Sequence, residues 1–189
     1  GRAVKAGCTT VLLQGGLNSK LPLKYYTDLV SETVRLYPQI TPHYFSAPEI
    51  MKMSEVSCMS VYGVLQALKD AGQRSLPGGG SEILSNRVKA EISRLTPKDT
   101  VDKWSNVHVE AHKIGLMTTA TMMFGHVETD EEIIETLEHI RNVQDLASDQ
   151  PGGFTAFIPW SYKRQNTALA KKVLQESGPN PYLRIMAIS

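Results

Sequence analysis

The sequence predicts an α/β protein, a β/α barrel core of parallel strands, on three observations. Short apolar runs alternate with helical stretches at a spacing of roughly 30–45 residues, the period of parallel strands joined by crossover helices. Turn or polar residues follow nearly every run, at Gln14-Gly15-Gly16, Ser46, Gly78-Gly79-Gly80, Gly125-His126 and Pro159-Trp160. A barrel spreads its site over all its βα loops in this way, whereas a doubly wound sheet gathers it at one switch point. The third observation is the run Met117–Phe124, which interleaves threonines with methionines instead of the Val/Ile of a strand buried on both faces. Its inner face is therefore expected to meet a ligand.

Taken in order, the expected strands are Thr9–Gln14, His43–Ser46, Arg74–Pro77, Met117–Met123, Phe154–Pro159 and Leu183–Ser189. Between the first two, Tyr26, Leu29, Val30, Val34 and Tyr37 recur at steps of three and four, which predicts a helix over Leu23–Tyr37 with Pro22 in its first turn. A second helix is expected over Thr100–Ile114, with Val101, Trp104, Val107, Ala111 and Ile114 on one face and Gly115 just past its end. A third starts at the capping box Thr129-Asp130-Glu131-Glu132 and buries Ile133, Leu137, Ile140 and Val143. Asp149–Gly153 reads as a loop, so the whole of 1–189 is expected to be one incomplete barrel domain.

Composition narrows the function. With 189 residues, 41% of them apolar, the chain suits one globular domain. A net charge of +1 lacks the electrostatic footprint of a nucleic-acid or membrane-surface binder. No apolar run approaches the roughly 18–20 residues of a membrane span, and no signal-peptide h-region follows the N-terminus. A cytoplasmic location is expected. Cys8 and Cys58 are the only cysteines, which excludes a disulfide scaffold and any four-thiolate site; they read as small buried hydrophobes.

Several segments carry candidate chemistry. In Leu76-Pro77-Gly78-Gly79-Gly80-Ser81-Glu82, three glycines let the backbone approach a ligand and Glu82 offers a carboxylate to hydroxyls or an ammonium group. The segment is neither a Walker loop nor GxGxxG. A flexible turn with a solvated Glu82 is the plain alternative. Strand alternation places His43 and Phe45 on one face and Tyr44 and Ser46 on the other. Thr119, Thr121 and Met123 share a face that runs into Gly125-His126-Val127-Glu128, where His126 and Glu128 either face the cavity or cap the helix at Thr129. His108 and His112 stand four residues apart on one helix face, but the segment is not HExxH and a packing role is expected. No metal ligand is assigned in this chain.

Read together, Leu13-Gln14-Gly15-Gly16, His43–Glu49 (HYFSAPE), Leu76–Leu84 (LPGGGSEIL), Ala120–Thr129 (ATMMFGHVET) and Gly152–Trp160 (GGFTAFIPW) resemble the radical S-adenosylmethionine enzymes of menaquinone and deazaflavin biosynthesis. The five segments stand in family order over nearly the whole chain. The MMFGHVET and FIPW segments look most like the members of the futalosine route to menaquinone. The resemblance implies a partial TIM-type β/α barrel, a 4Fe–4S cluster, S-adenosylmethionine, a nucleoside substrate and an external electron donor.

It also implies that Gln14, Gly15 and Gly16 hold the methionine end of the cofactor. Leu17 stands where the commoner Gly-Gly-Glu pattern has its acid, which makes Glu82 a candidate for the amino-group or a ribose contact. Ser46, Gly78, Gly79, Gly80 and Thr121 are further cofactor-binding candidates, the turn with Gly125 and Glu128 corresponds to an adenine-side segment, and Ile158 and Pro159 to backbone lining the adenine. His43, Phe45, His126 and Trp160 are the candidates for substrate contact. The family's Cys-x3-Cys-x2-Cys loop is absent, so the chain is expected to begin just before the second barrel strand, stop at about the seventh, and be inactive by itself. The other readings are a sibling enzyme forming aminofutalosine or the deazaflavin chromophore, a cluster-free nucleoside-binding barrel, and a Rossmann-like binder using Pro77–Glu82.

Overall fold

Five parallel strands form one sheet in the order in which they occur in the chain: β1 (Thr10–Leu13), β2 (Thr41–Tyr44), β3 (Ser75–Leu76), β4 (Met117–Phe124) and β5 (Gly153–Ser161). The structure is a computed structural model that describes residues 1–80, 82–93 and 100–189; Ser81 of the glycine segment lies outside the described residues. A doubly wound sheet reverses direction at its switch point. Here each strand pairs with the next without reversal, which is a partial β/α-barrel core and disposes of the Rossmann-like reading.

Helix α1 (Arg2–Lys5) precedes β1, and the helices between the strands are α2 (Leu23–Leu36), α3 (Ala47–Ser57), α4 (Val61–Asp70), α5 (Asn86–Ile92), α6 (Val101–Lys113) and α7 (Asp130–Asp145). Caps set their starts. The hydroxyls of Ser60, Ser85, Thr100 and Thr129 each accept a backbone N–H of the first turn of α4, α5, α6 and α7, where no helical partner exists. Pro22 stands at the N-cap of α2, just outside the first turn. Gly115 follows α6 at φ +79, a left-handed turn that a glycine makes without strain.

The sheet has two unlike faces. Tyr44, Leu76, Ala120, Met122 and Phe124 point to the helices and are buried, as is the polar Thr118 among them. A cluster including Val30, Ile50, Leu65, Leu68, Leu76, Trp104 and Val107 fills the middle of this outer layer, and a smaller one joins Ile83, Val88, Met122, Phe124 and Ile133. The register puts the alternate residues, Leu12, His43, Ser75, Thr119, Thr121, Met123, Ala156, Ile158 and Trp160, on the opposite, inner face. There Leu12, Ile158 and Trp160 are exposed.

Three expectations are corrected. Leu183–Ser189 is not a strand: it belongs to α8 (Pro179–Ile188), which follows a short 3₁₀ turn at Ala168–Lys171. Its alternating apolar residues imitate a strand, but the prolines fit the first helical turn and the helix sets Tyr182 and Ile185 on one side, against Phe124 and its cluster. Cys8 and Cys58 are exposed, not buried; Cys58 ends α3 in the left-handed conformation. Phe45 does not share the face of His43. Strand β2 ends at Tyr44, and Phe45, at φ +63, swings back into the core against Tyr26 and Tyr44.

Candidate active-site rim

Because all five strands are parallel, the turns that leave them lie on one rim. The first two turns share a single carboxylate. Glu49, on the first turn of α3 and only 4% exposed, accepts the Gly15 N–H at 2.7 Å through Oε1. Its Oε2 accepts both the N–H and the hydroxyl of Ser46 at 2.8 Å. The sequence folds this way because Ser46-Ala47-Pro48-Glu49 is a capping box with proline in the first turn.

The third turn closes against the first turn and against strand β4. Gly78 donates its N–H to Thr119 Oγ1 at 2.9 Å and accepts the Thr121 hydroxyl at 3.0 Å, so the inner-face threonines of β4 grip the glycine turn. A Cβ at Gly78 would stand 2.4 Å from the Thr119 carbonyl oxygen; one at Gly79 would stand 2.3 Å from Gln14 Nε2 and 3.5 Å from Ser46 Cβ. Beyond the glycines, the Lys89 ammonium donates to the Gly80 carbonyl at 2.6 Å from a site 3% exposed. Glu82, at φ +32, accepts the Met123 N–H at 3.0 Å through its carbonyl.

The fourth turn, Gly125–Glu128, is closed by its own acid. Glu128 accepts the N–H groups of Gly125 and, at 3.0 Å, His126. The buried His126 ring donates from Nε2 to the Met123 carbonyl at 2.9 Å and sets Nδ1 3.1 Å from Glu128. Gly125 is at φ +85 and lies against Ser177, just before α8. His126 and Glu128 thus hold the turn, and neither caps α7, whose box is Thr129 with Glu132.

The structure therefore brings Gln14, Gly15, Gly16, Ser46, Gly78, Gly79, Gly80, Glu82, Thr121, Gly125, Ile158 and Trp160 to one rim and inner face, with His43 deeper on the same face. Pro159 is in β5 but turns to the helix side. His43 Nδ1 meets Ser75 Oγ at 2.7 Å, and partial burial pushes its imidazole below the usual range. Phe45 is not brought to the face. Sequence reasoning missed Glu49 and Lys89 as rim residues. The signal for Glu49 was present, since Ser-x-x-Glu is the pattern that marked Thr129, whereas a lysine inside a helix reads as solvated.

His108 and His112 lie far from this rim, packed among Trp104 and Phe154 behind the sheet. His112 Nε2 meets the Thr118 hydroxyl at 2.7 Å. Burial pushes His108 down to about 3, with the neighbouring His112 a lesser cause, and His112 down to about 4. Among the described residues no group of three or more His, Cys, Asp or Glu is set to hold a metal, and no helix is long and apolar enough to cross a membrane.

No family model matches the chain. It is 40% identical over 98% of its length to the cyclic dehypoxanthine futalosine synthase of Halalkalibacterium halodurans, covering 48% of that protein. It is 36% identical over 88% of its length to the aminodeoxyfutalosine synthase of Thermus thermophilus, covering 43% of it. A 5-amino-6-(D-ribitylamino)uracil–L-tyrosine 4-hydroxyphenyl transferase of Methanosarcina barkeri is 37% identical over 92% of the chain and 45% of its own length. The chain spans about half the length of the curated relatives it matches. Identities of 36–40% over 88–98% of the chain, on a parallel β/α core, lead to one conclusion: the chain belongs to the radical S-adenosylmethionine enzyme family that includes these three relatives.

Proposed function

We propose that the whole protein cyclises dehypoxanthinylfutalosine to its spirocyclic product in menaquinone biosynthesis. The observation that carries this reading is the 40% identity over 98% of the chain to a protein of that name. Bound S-adenosylmethionine would supply the means of abstracting a hydrogen atom from the substrate ribose, and closure of the ribose onto the attached ring would then release one electron and one proton.

The residues present suit an adenosyl ligand. Gly79 leaves room for Gln14 where any side chain would intrude, and Gly16 opens onto free space. Ile158 and Trp160 offer exposed apolar surface on the inner face for a flat ring. Gln14, Gly15, Gly16 and Glu82 would hold the methionine end, Gly125 and Ile158 the adenine side, and His43 and Trp160 the substrate. A radical needs a shielded pocket with few reactive groups; the Thr, Met and Leu of the inner face meet the second of these needs. The iron–sulfur cluster does not fit this chain: two exposed cysteines cannot supply three converging thiolates. No residue here is assigned to it.

The test is incubation of the whole, anaerobically reconstituted protein with S-adenosylmethionine, reductant and dehypoxanthinylfutalosine. Formation of cyclic product with 5′-deoxyadenosine is expected. Turnover only with the aminofutalosine or deazaflavin precursors would assign a sibling reaction, and absence of iron and sulfide from the whole protein would favour a cluster-free nucleoside binder.

A further inference from the structure

Glu49 does more than its place in the chain requires. A capping box needs one carboxylate oxygen to accept the N-cap N–H. Here Oε2 does that and also takes the Ser46 hydroxyl, while Oε1 crosses 34 residues to the Gly15 N–H. Burying a carboxylate is costly unless it is paired or hydrogen-bonded. Among the described residues no cation pairs with Glu49; three hydrogen bonds and the positive end of α3 offset that cost. The same arrangement fixes the third turn, because Gly79 packs on Gln14 and Ser46, the two residues next to or at the bonded positions.

We propose that Glu49 is the positioning residue of the rim, setting the β1 turn against the β2 turn so that Gln14–Gly16 stand in register for the methionine end of the adenosyl ligand. This rests on the reading under Proposed function. Glu49 touches no ligand in this account: its Oε1 lies under Gly15, and its action passes through the turn. Asn18 braces only the later part of this connection, through Lys20 and Leu21; among the described residues the Oε1 contact is the one side-chain hydrogen bond to Gln14–Gly16, where Gly16 stands at φ +83.

Two variants separate positioning from simple helix capping. Glu49→Asp keeps the charge and a cap for Ser46 but is one methylene too short to reach Gly15. Glu49→Gln keeps the length but exchanges one acceptor for a donor facing an N–H. Binding of S-adenosylmethionine and of the nucleoside substrate to the whole protein is measured by calorimetry, beside thermal unfolding. The expected result is about tenfold weaker S-adenosylmethionine binding in both variants, with substrate affinity changed less than twofold and a cooperative transition retained. A purely structural role would lower the binding-competent fraction for both ligands equally and leave each affinity unchanged, which would overturn the proposal. So would loss of cooperative unfolding in both variants. Failure of the unmutated protein to bind S-adenosylmethionine would overturn the functional reading and this inference with it; unaltered binding by Glu49→Asp beside a binding parent overturns the inference alone.

Discussion

Gly78 and Gly79 are neighbours with opposite tolerances. A Cβ at Gly78 would meet the backbone of β4, 2.4 Å from the Thr119 carbonyl oxygen and 2.7 Å from Ala120 Cα, and a strand backbone cannot step aside. Gly78→Ala should cost about 1–3 kcal/mol, as overpacking of a rigid site does, and lower the melting temperature accordingly. At Gly79 the obstacle is the end of the Gln14 side chain, which swings away cheaply. Gly79→Ala should leave stability within about 0.5 kcal/mol yet displace Gln14 and weaken S-adenosylmethionine binding. Equal melting-temperature losses in the two variants would contradict this assignment. Glu82→Gln keeps size and removes charge. It is expected to weaken S-adenosylmethionine binding by about ten- to a hundredfold if its carboxylate meets the ammonium, measured by calorimetry on the whole protein; unchanged affinity would reduce Glu82 to a turn residue.

Helix α6 carries the pH dependence. His108 and His112 are buried, and burial lowers both, to about 3 and about 4. Unfolded, each titrates near 6.5. Between those values the unfolded chain binds protons that the folded chain refuses, so stability falls as pH drops below about 6.5 and is steady above it. Each histidine contributes a slope of at most about 1.4 kcal/mol per pH unit in that window. Denaturant titrations at pH 7.5 and 5 should show the loss, and His108→Phe should remove part of it; an unchanged slope would mean that the pair is hydrated. Helices α2 and α6 were legible from their apolar stripes and α7 from its capping box at Thr129, whereas α3, α4 and α5 were not, although Ser46, Ser60 and Ser85 cap them. Helix α8 was not, because Leu183-Arg184-Ile185-Met186 satisfies the strand period and only packing against Phe124 decides otherwise.

At the scale of the whole molecule, the chain spans about half the length of the curated relatives it matches. Strands β1 and β5 end the sheet, and each has one side without a strand partner among the described residues. Exposed edges of this kind invite pairing unless they are covered, and the inner face between them leaves Leu12, Ile158 and Trp160 in contact with solvent. The barrel order and the common rim were legible in the sequence, because parallel βα units put every strand-end turn on the same side. The links between turns were not. Glu49 to Gly15 and Lys89 to Gly80 join residues that only the fold makes neighbours. Phe45 was misplaced for a related reason: strand alternation fails where the backbone turns left-handed, and no residue type there announces it. The central claim is that these turns form one ligand-binding rim. Backbone amide hydrogen exchange of the whole protein, with and without S-adenosylmethionine, tests it most directly. Slowed exchange at 14–16, 78–82, 125–128 and at Ile158 and Trp160 of β5 together is the predicted result; binding that protects none of these segments, or only the helices behind the sheet, would contradict it.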